Sequence, residues 1–119
     1  MSEAGGKTAT TGYAIDGTAF AGKPIEPGLY PVATPIGNLS DISLRALDVL
    51  AGADLIVCED SRVTAVLLDR YGIRKPIAIY HEHNAARERP RLLAMLRGGM
   101  RLALVSDAGT PLVSDPGYK

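Results

Sequence analysis

The 119-residue sequence is poor in several features, and each shortage excludes a class of protein. Its single cysteine, Cys58, rules out an intramolecular disulfide, and the apolar run LIVC around it predicts a buried thiol in a reducing, cytoplasmic setting. The N-terminus lacks the basic start and apolar core of a secretory signal, and nowhere do about 18 apolar residues run together. The sequence therefore predicts a soluble protein with no membrane partner.

Net charge and stacking aromatics are also missing. The 13 basic and 13 acidic residues cancel, so a nucleic-acid or membrane partner would have to meet a local patch rather than a global field. With no tryptophan, one phenylalanine and five tyrosines, sequence-specific binding of a single strand by base stacking is not predicted. The most basic region contains Arg87, Arg89, Arg91, Arg97 and Arg101. It suits either a nucleic-acid backbone or a solvated helix face.

The chain divides at about residue 28. Residues 1–27 are rich in Gly, Ala and Thr, lack a hydrophobic period and end near two prolines, which predicts a flexible, loosely ordered tail. Over residues 28–119, the apolar runs LYPVA, DLIVC, PIAIY and RLALVS predict four strands buried on both faces of a parallel sheet. Because Pro31 cannot donate a ladder hydrogen bond, pairing of the first strand is expected to begin at Val32.

Three helices are predicted between these strands. Their expected starts and stops are Ser40 or Asp41 to Gly52, Ser61 to Gly72, and Arg89 to Gly98–Gly99. The third is placed late because Pro90 is tolerated only in the first turn of a helix. Alternating strands and helices imply right-handed crossovers, so residues 28–119 are expected to form an α/β domain with an open, mainly parallel sheet and helices on both faces.

Polar motifs follow every predicted strand: TPIGNLSD, EDSR, HEHN and SDAGTPLVSDPG. In a parallel sheet all four lie at the carboxyl edge, where ligands bind beside helix N-termini. Turns and caps favour the same residue types, but four such motifs in succession favour a binding edge. The first loop has only Gly37 where a dinucleotide fingerprint needs three glycines, and no phosphate-loop motif occurs, which argues against nicotinamide, flavin or nucleoside triphosphate.

Two motifs carry side chains suited to catalysis or binding. In EDSR, Asp60 is placed to orient a hydroxyl or a cation and Arg62 to hold a phosphate. The alternative is a helix cap with an exposed ion pair. In HEHN, His81 and His83 would point the same way on a strand, but a convincing third and fourth ligand are missing, so no metal site is predicted.

Three motifs together carry a resemblance to a known family. LYPVATPIGNLSDISLRALDVLAGADLIVCEDSR, YHEHN and LVSDAGTPLVSDPG, in this order over residues 28–119, resemble the N-terminal half of the ribosomal RNA small-subunit methyltransferases I. These are bacterial cytidine 2′-O-methyltransferases of the tetrapyrrole-methylase superfamily. The resemblance implies a homodimeric, two-domain enzyme that uses S-adenosyl-L-methionine to methylate a cytidine ribose in small-subunit (16S) ribosomal RNA. It also implies that the C-terminal domain is absent from this chain, which would be inactive alone.

The resemblance implies roles for particular residues. Residues 35–38 stand where relatives keep a Gly-Pro-Gly-Asp turn, and residues 107–110 where they keep a Gly-Asp-Pro cofactor loop. The cofactor-binding residues implied are Pro35, Ile36, Gly37, Asn38, Asp107, Ala108, Gly109, Thr110 and Pro111. The candidates to take the ribose proton are Asp60 and His83, with Glu59 in reserve, and the candidates to contact RNA are Arg62 and Asn84.

The sequence departs from the family pattern at three places and leaves two other functions open. Ser61 stands where the family often has Thr, Ala85 stands where it usually has Glu, and Pro31 sits in the first strand. A tetrapyrrole C-methyltransferase of the same superfamily would carry an acid after the first-loop glycine, where this sequence has Asn38. A non-catalytic phosphate- or nucleotide-binding module of flavodoxin-like type would bind its ligand tightly as an isolated domain, whereas the methyltransferase needs its second domain.

Overall fold

The computed structural model describes residues 12–35 and 38–107, the last of them by its backbone alone. Within these residues the strands are β1 (Gly12–Ile15), β2 (Thr18–Ala21), β3 (Gly28–Thr34), β4 (Leu55–Cys58), β5 (Ile77–Ile79) and β6 (Arg101–Asp107). The helices are α1 (Leu44–Gly52), α2 (Ser61–Arg70) and α3 (Ala85–Arg97), with a 3-10 turn at Leu39–Asp41. None of these helices is long and apolar enough to span a membrane.

Four strands form a parallel sheet in the order β3-β6-β4-β5. The central strands read as continuous apolar runs because both of their faces are covered, as Ile56, Val57 and Ala103 show by their nearly complete burial. The connections through α1, from β3 to β4, and through α2, from β4 to β5, run in one direction across the sheet. The connection through α3, from β5 to β6, runs in the opposite direction. Right-handed connections therefore place α3 on the opposite face. The predicted α/β fold with a parallel sheet is confirmed.

Pairing in β3 begins earlier than the sequence predicts. We expected it to start at Val32, but the register with β6 runs from Gly28 opposite Arg101 through Pro31 opposite Leu104. Among the described strands β3 lies at the end of the sheet, and half of the N–H groups of an edge strand point away from its neighbour. A proline, which lacks the N–H, is tolerated in such a strand.

The main core lies between one face of the sheet and helices α1 and α2. Its largest fully buried side chains include Leu47 and Leu50 from α1, Ile56 from β4 and Leu67 from α2. Helix α3 contributes no buried residue. The sheet is therefore covered unevenly, and α3 keeps most of its surface in contact with solvent.

A β-hairpin occupies residues 12–21, inside the segment that we expected to be a loosely ordered tail. Its turn residues Asp16 and Gly17 have φ angles of 49° and 84°. This is the geometry of a type I′ turn, which Asp-Gly pairs favour because its twist matches that of the flanking strands. For residues 12–21 the prediction of a loose tail is wrong, and the overlooked signal is the Asp-Gly pair between GYAI and TAFA. Residues 1–11 lie outside the described residues.

The hairpin packs on the core. Tyr13 is 9% exposed and stacks on Phe20 with the ring centroids 5.8 Å apart. The backbone N–H of Ala14 donates to the carbonyl of Tyr71 at 2.8 Å. The segment is ordered by these tertiary contacts rather than by its own hydrophobic period, which is why periodicity does not reveal it.

Helices α1 and α2 begin at caps other than those expected. The Oγ of Ser43 accepts the N–H of Ala46 at 3.0 Å and caps α1, while the predicted caps Ser40 and Asp41 belong to the preceding 3-10 turn. Helix α2 starts at Ser61 as expected from its pattern, but Asp60 provides its cap. The cap of α1 lies two or three residues after the predicted caps, because Ser40 and Asp41 are capping residue types like Ser43 but belong to the preceding 3-10 turn.

Helix α3 begins at Ala85, four residues before the predicted start, so Pro90 lies inside the helix rather than in its first turn. The missing N–H removes the bond that would reach the carbonyl of Ala86. Ala86 is exposed, so water can hydrate that carbonyl, and one proline is tolerated in a helix whose outer face is solvated.

Candidate active site

The carboxyl ends of the four parallel strands meet at one edge of the sheet. Thr34 lies opposite Asp107 in the register, and Cys58 lies opposite both Val105 and Ile79. The segments that follow these strands, including EDSR and HEHN, therefore leave the sheet side by side. The edge predicted to bind a ligand is thus formed by adjacent strand ends.

The two candidate cofactor loops leave from directly paired residues. β3 ends at Thr34 and β6 at Asp107, and the Oγ1 of Thr34, which is 3% exposed, donates to the carbonyl of Ser106 at 3.2 Å. Pro35 and Asn38 fall within the described residues, and Asn38 caps the 3-10 turn by accepting the N–H of Ser40 at 2.9 Å. The remaining candidates lie outside the described residues: Ile36, Gly37, Ala108, Gly109, Thr110 and Pro111.

Asp60 and Arg62 form both a helix cap and an ion pair at the start of α2. Oδ1 of Asp60 accepts the backbone N–H of Arg62 at 2.9 Å and its Nε at 3.2 Å, while Oδ2 accepts Nη2 at 3.0 Å. The side-chain hydrogen bond from Arg62, followed by the one from its backbone, lowers the pKa of Asp60. The carboxylate is thereby a weaker base, whereas Arg62, 89% exposed, keeps three of its five N–H donors for a ligand.

The HEHN segment forms a tight turn between β5 and α3. Nδ2 of Asn84 donates to the carbonyl of Ile79 at 2.9 Å, and Oδ1 accepts the N–H of His81 at 2.9 Å, so both ends of the amide are bonded to backbone. The N–H of His83 donates to Nδ1 of His81 at 3.1 Å, so this ring nitrogen is the acceptor of a backbone bond within the turn. Asn84 therefore holds the turn, and His83 is exposed on it. Among the described residues, no three side chains that ligate metals come together.

One carboxylate organises two arginines in the first turns of α3. Oε2 of Glu88 accepts Nε of Arg87 at 3.0 Å and Nη1 of Arg91 at 3.3 Å. The side chain of Glu88 is 12% exposed, against 74% for Arg87 and 64% for Arg91. The hydrogen bond from Arg87, with the nearby charges of both arginines, lowers the pKa of Glu88. The ionised carboxylate thus lies beneath two outward-facing guanidinium groups.

Two other arginines of the basic region, Arg89 and Arg101, have different surroundings. Nε of Arg89 donates to the phenol oxygen of Tyr80 at 3.1 Å and ties α3 to the end of β5. Arg101 lies at the amino end of β6, where its Nε donates to the carbonyl of Ile25 at 2.9 Å and its Nη1 lies 3.4 Å from Asp54. Arg101 therefore belongs to the opposite edge of the sheet and not to the same surface as Arg87 and Arg91.

Two long-range hydrogen bonds fix the turn after β3, and sequence reasoning did not find them. Nη2 of Arg70 donates to Oγ of Ser40 at 2.8 Å, and the phenol of Tyr71 donates to the carbonyl of Leu39 at 2.7 Å. A cavity of about 410 Å³ opens beside these residues and beneath the hairpin turn. The partners lie 30 and 32 residues apart, so no local pattern indicates them.

The fold and the site define an α/β domain that presents polar loops at the carboxyl edge of a parallel sheet. A protein-family model described as Tetrapyrrole (Corrin/Porphyrin) Methylases matches residues 28–119. The chain therefore belongs to this methylase family. The β-hairpin of residues 12–21 precedes the matched region.

Curated relatives give a narrower similarity. The chain is 64% identical over 102 residues to a ribosomal RNA small subunit methyltransferase I of Mesorhizobium japonicum, covering 86% of this chain and 35% of the relative. For the proteins of the same name from Rickettsia prowazekii and Escherichia coli O157:H7, the identities are 45% and 54%, over 80% and 76% of this chain and 34% and 32% of the relatives. The resemblance drawn from the motifs is confirmed. The chain spans about a third of the length of these relatives.

Proposed function

We propose that this chain is the N-terminal part of an enzyme that uses S-adenosyl-L-methionine to methylate the ribose 2′-hydroxyl of a cytidine in small-subunit (16S) ribosomal RNA. Membership of a methylase family supports methyl transfer, and the printed names of the relatives support ribosomal RNA as the substrate. The observation that carries the proposal is the pairing of Thr34 with Asp107, from which both candidate cofactor loops leave the sheet.

The paired strand ends fit a bulky cofactor. Both loops start within one inter-strand spacing of each other, so their backbone groups can reach a single ligand. Pro35 and Asn38 from the first loop, and the residues from Asp107 onward in the second, would hold it. When bound, S-adenosyl-L-methionine supplies an electrophilic methyl group on a sulfonium. The task of the protein is then mainly to position the ribose hydroxyl for in-line attack, an effect that reaches about 7–11 kcal/mol in intramolecular reactions.

The ribose hydroxyl must also lose its proton, and three residues are candidates to accept it. Asp60 is held in the ion pair with Arg62, which makes its carboxylate a poor base. His83 is exposed at the same edge of the sheet, and within the described residues its ring nitrogens make no hydrogen bond. We therefore rank His83 first, the exposed Glu59 second and Asp60 third. A positioned base contributes about 10²–10⁴-fold.

Arg62 and Asn84 have separate tasks in this proposal. Arg62 extends from the start of α2 with donors left for an RNA phosphate. Asn84 is committed to the backbone on both sides, so it positions the turn that carries His83. We expect the enzyme to act in the cytoplasm, where small-subunit RNA is its partner, and to work as a homodimer.

Calorimetric titration of S-adenosyl-L-methionine tests the proposal. One sample is this chain, and the other is the extended protein, meaning this chain joined to the part of the Mesorhizobium japonicum relative that follows the matched residues. We expect binding to the extended protein and none to the chain alone, because a second domain completes the cofactor cleft.

Methylation is then measured by transfer of labelled methyl groups to small-subunit RNA, followed by nucleoside analysis for 2′-O-methylcytidine. Absence of binding to either sample would overturn the proposal. Tight binding of a nucleotide or phosphate by the chain alone, without methyl transfer by the extended protein, would favour the non-catalytic module instead.

A further inference from the structure

Positive charge is concentrated on α3 although the chain as a whole is neutral. The helix Ala85–Arg97 contains four arginines and one acidic residue, Glu88. The difference is three positive charges in 13 residues. A polyanion approaching this protein therefore meets a local field on α3 that the overall composition does not reveal.

The arrangement around Glu88 separates this surface from an ordinary row of exposed ion pairs. The side chain of Glu88 is 12% exposed, whereas the side chains of both arginines that bond to it are largely exposed. Arg87 uses its Nε and Arg91 its Nη1 for these bonds, so four N–H donors of each guanidinium remain for another partner. The shared carboxylate reduces the conformational freedom of two long side chains that face solvent about one helical turn apart.

The paired guanidiniums lie near the candidate active site in the fold. Helix α3 starts directly after the HEHN turn, and the bond from Arg89 to Tyr80 fixes its second turn against the end of β5. β5 pairs with β4, and β4 leads into the segment that contains Asp60 and Arg62. A ligand that spans this edge of the sheet can therefore reach from Arg62 to the first turns of α3.

We propose that Arg87 and Arg91, held by Glu88, form a clamp for backbone phosphates of the RNA substrate. This inference rests on the proposed function, because it assumes that the substrate is RNA. Guanidinium groups match the geometry of phosphate oxygens and bind them through two parallel hydrogen bonds. Two guanidiniums fixed by one carboxylate suit a repeating phosphodiester better than a single small anion.

The test compares variants of the extended protein by the salt dependence of their binding to a small-subunit RNA fragment. Each phosphate contact contributes about 0.7 to the slope of log K against log salt for single strands and about 0.9 for a duplex. The double variant Arg87→Gln with Arg91→Gln is expected to lose about 1.4 to 1.8 from this slope, with weaker binding at all RNA sequences. Replacement of both arginines by Lys is expected to retain most of the slope.

Arg74→Gln is the matched control, because Arg74 is an exposed arginine at the amino end of β5, on the opposite edge of the sheet. A triple variant, Arg87→Gln with Glu88→Gln and Arg91→Gln, avoids leaving the Glu88 carboxylate without its two arginine partners and is expected to lose the same slope. An unchanged slope in both the double and the triple variant, or an equal loss in the Arg74 control, would overturn the clamp.

The same assay separates the clamp from the proposed function. Loss of slope in the clamp variants together with absence of methyl transfer by the parent protein would retain the clamp and reject the methyltransferase. Normal methylation with an unchanged slope would retain the enzyme and reject the clamp.

Discussion

Thr34 lies opposite Asp107 at the carboxyl end of the β3–β6 pair, and its hydroxyl donates to the carbonyl of Ser106 on the neighbouring strand. This side-chain bond crosses between the two strands at the point where both candidate cofactor loops begin. Because Thr34 is almost completely buried, the bond is shielded from water and fixes the separation of the loop origins. The candidate cofactor site is thus built on a rigid strand pair.

Replacement of Thr34 by Val tests whether this bond matters for the cofactor. The variant keeps the shape of the side chain but removes the donor to Ser106, so we expect the free energy of unfolding to fall by about 0.5–1.5 kcal/mol. We also expect the extended protein to bind S-adenosyl-L-methionine more weakly. Thr64→Val is the matched control, because Thr64 is equally buried but lies on α2 rather than on the β3–β6 strand pair. Equal weakening of cofactor binding by both variants would contradict a specific role for Thr34.

The parallel sheet could be predicted because its central strands are short apolar runs separated by helical periods. The carboxyl-edge position of the polar motifs followed from that topology alone. The hairpin at residues 12–21 was not predicted from the sequence, because Tyr13 and Ala14 are held by tertiary contacts and a four-residue strand is too short to show a hydrophobic period. Boundaries were less predictable, since Ser40, Asp41 and Ser43 all carry the same capping signal.

Arg62→Gln is expected to raise the pKa of Asp60 toward its ordinary value, because the side chain of Arg62 is the main cause of the lowered pKa. A lowered carboxylate pKa favours the folded state above the pKa of the unfolded chain. That contribution disappears as the pH falls through the pKa of the folded protein. The difference in the free energy of unfolding between parent and variant should therefore be present at neutral pH and disappear in acid. The change in the pKa of Asp60 itself is measured by carboxyl carbon shifts in an NMR acid titration, with Arg74→Gln as the control.

Tyr13→Ala is expected to detach the hairpin from the core. Large-to-small changes of buried aromatic residues cost about 3–5 kcal/mol, and Tyr13 is buried in the core cluster. Phe20→Ala is the control from the facing strand, since Phe20 is 43% exposed and should cost about 1 kcal/mol. Urea unfolding monitored by circular dichroism gives both values. Similar costs for the two variants would mean that the hairpin does not use Tyr13 as its anchor.

Pro90→Ala is expected to stabilise α3. Alanine restores the N–H that can bond to Ala86 and is about 3 kcal/mol more favourable than proline inside a helix. The greater freedom of the unfolded chain offsets about 0.4–1 kcal/mol of this gain. We expect the free energy of unfolding to rise by about 2–2.6 kcal/mol. Ala94→Pro, deeper in the same helix, should instead cost about 3 kcal/mol or more, and a loss of stability in Pro90→Ala would show that the proline ring has a packing role.

The site was harder to predict than the sheet because residue type does not reveal how a polar side chain is satisfied. EDSR and HEHN were found from their positions after strands. For EDSR the sequence left a ligand-binding role and a helix cap with an ion pair both open, and the structure shows Asp60 capping α2 and paired with Arg62 on both oxygens. The sequence did not show that the amide of Asn84 is used by the backbone. The role of Glu88 could not be predicted, because a single acid among several arginines matches no known motif. Its ion pairs with Arg87 and Arg91 nevertheless define the surface of α3.

The candidate bases are separated by matched substitutions in the extended protein. His83→Ala is expected to lower kcat for RNA methylation by about 10²–10⁴-fold with little change in KM, since a positioned base acts in the chemical step. Added imidazole should restore part of the rate, a response that a merely structural role of His83 would not produce.

Asp60→Asn keeps one oxygen to cap α2, but it removes the charge and replaces Oδ2, the acceptor for Nη2 of Arg62, by an amide donor. Glu59→Gln removes the charge of a neighbouring exposed carboxylate. We expect both variants to retain kcat within several-fold, because the pairing with Arg62 already withdraws Asp60 from proton transfer. A large loss of kcat in Glu59→Gln, with near-normal turnover of His83→Ala, would transfer the role of base to Glu59. A large loss in Asp60→Asn alone would mean that RNA binding draws Arg62 away from the carboxylate and frees it to accept the proton.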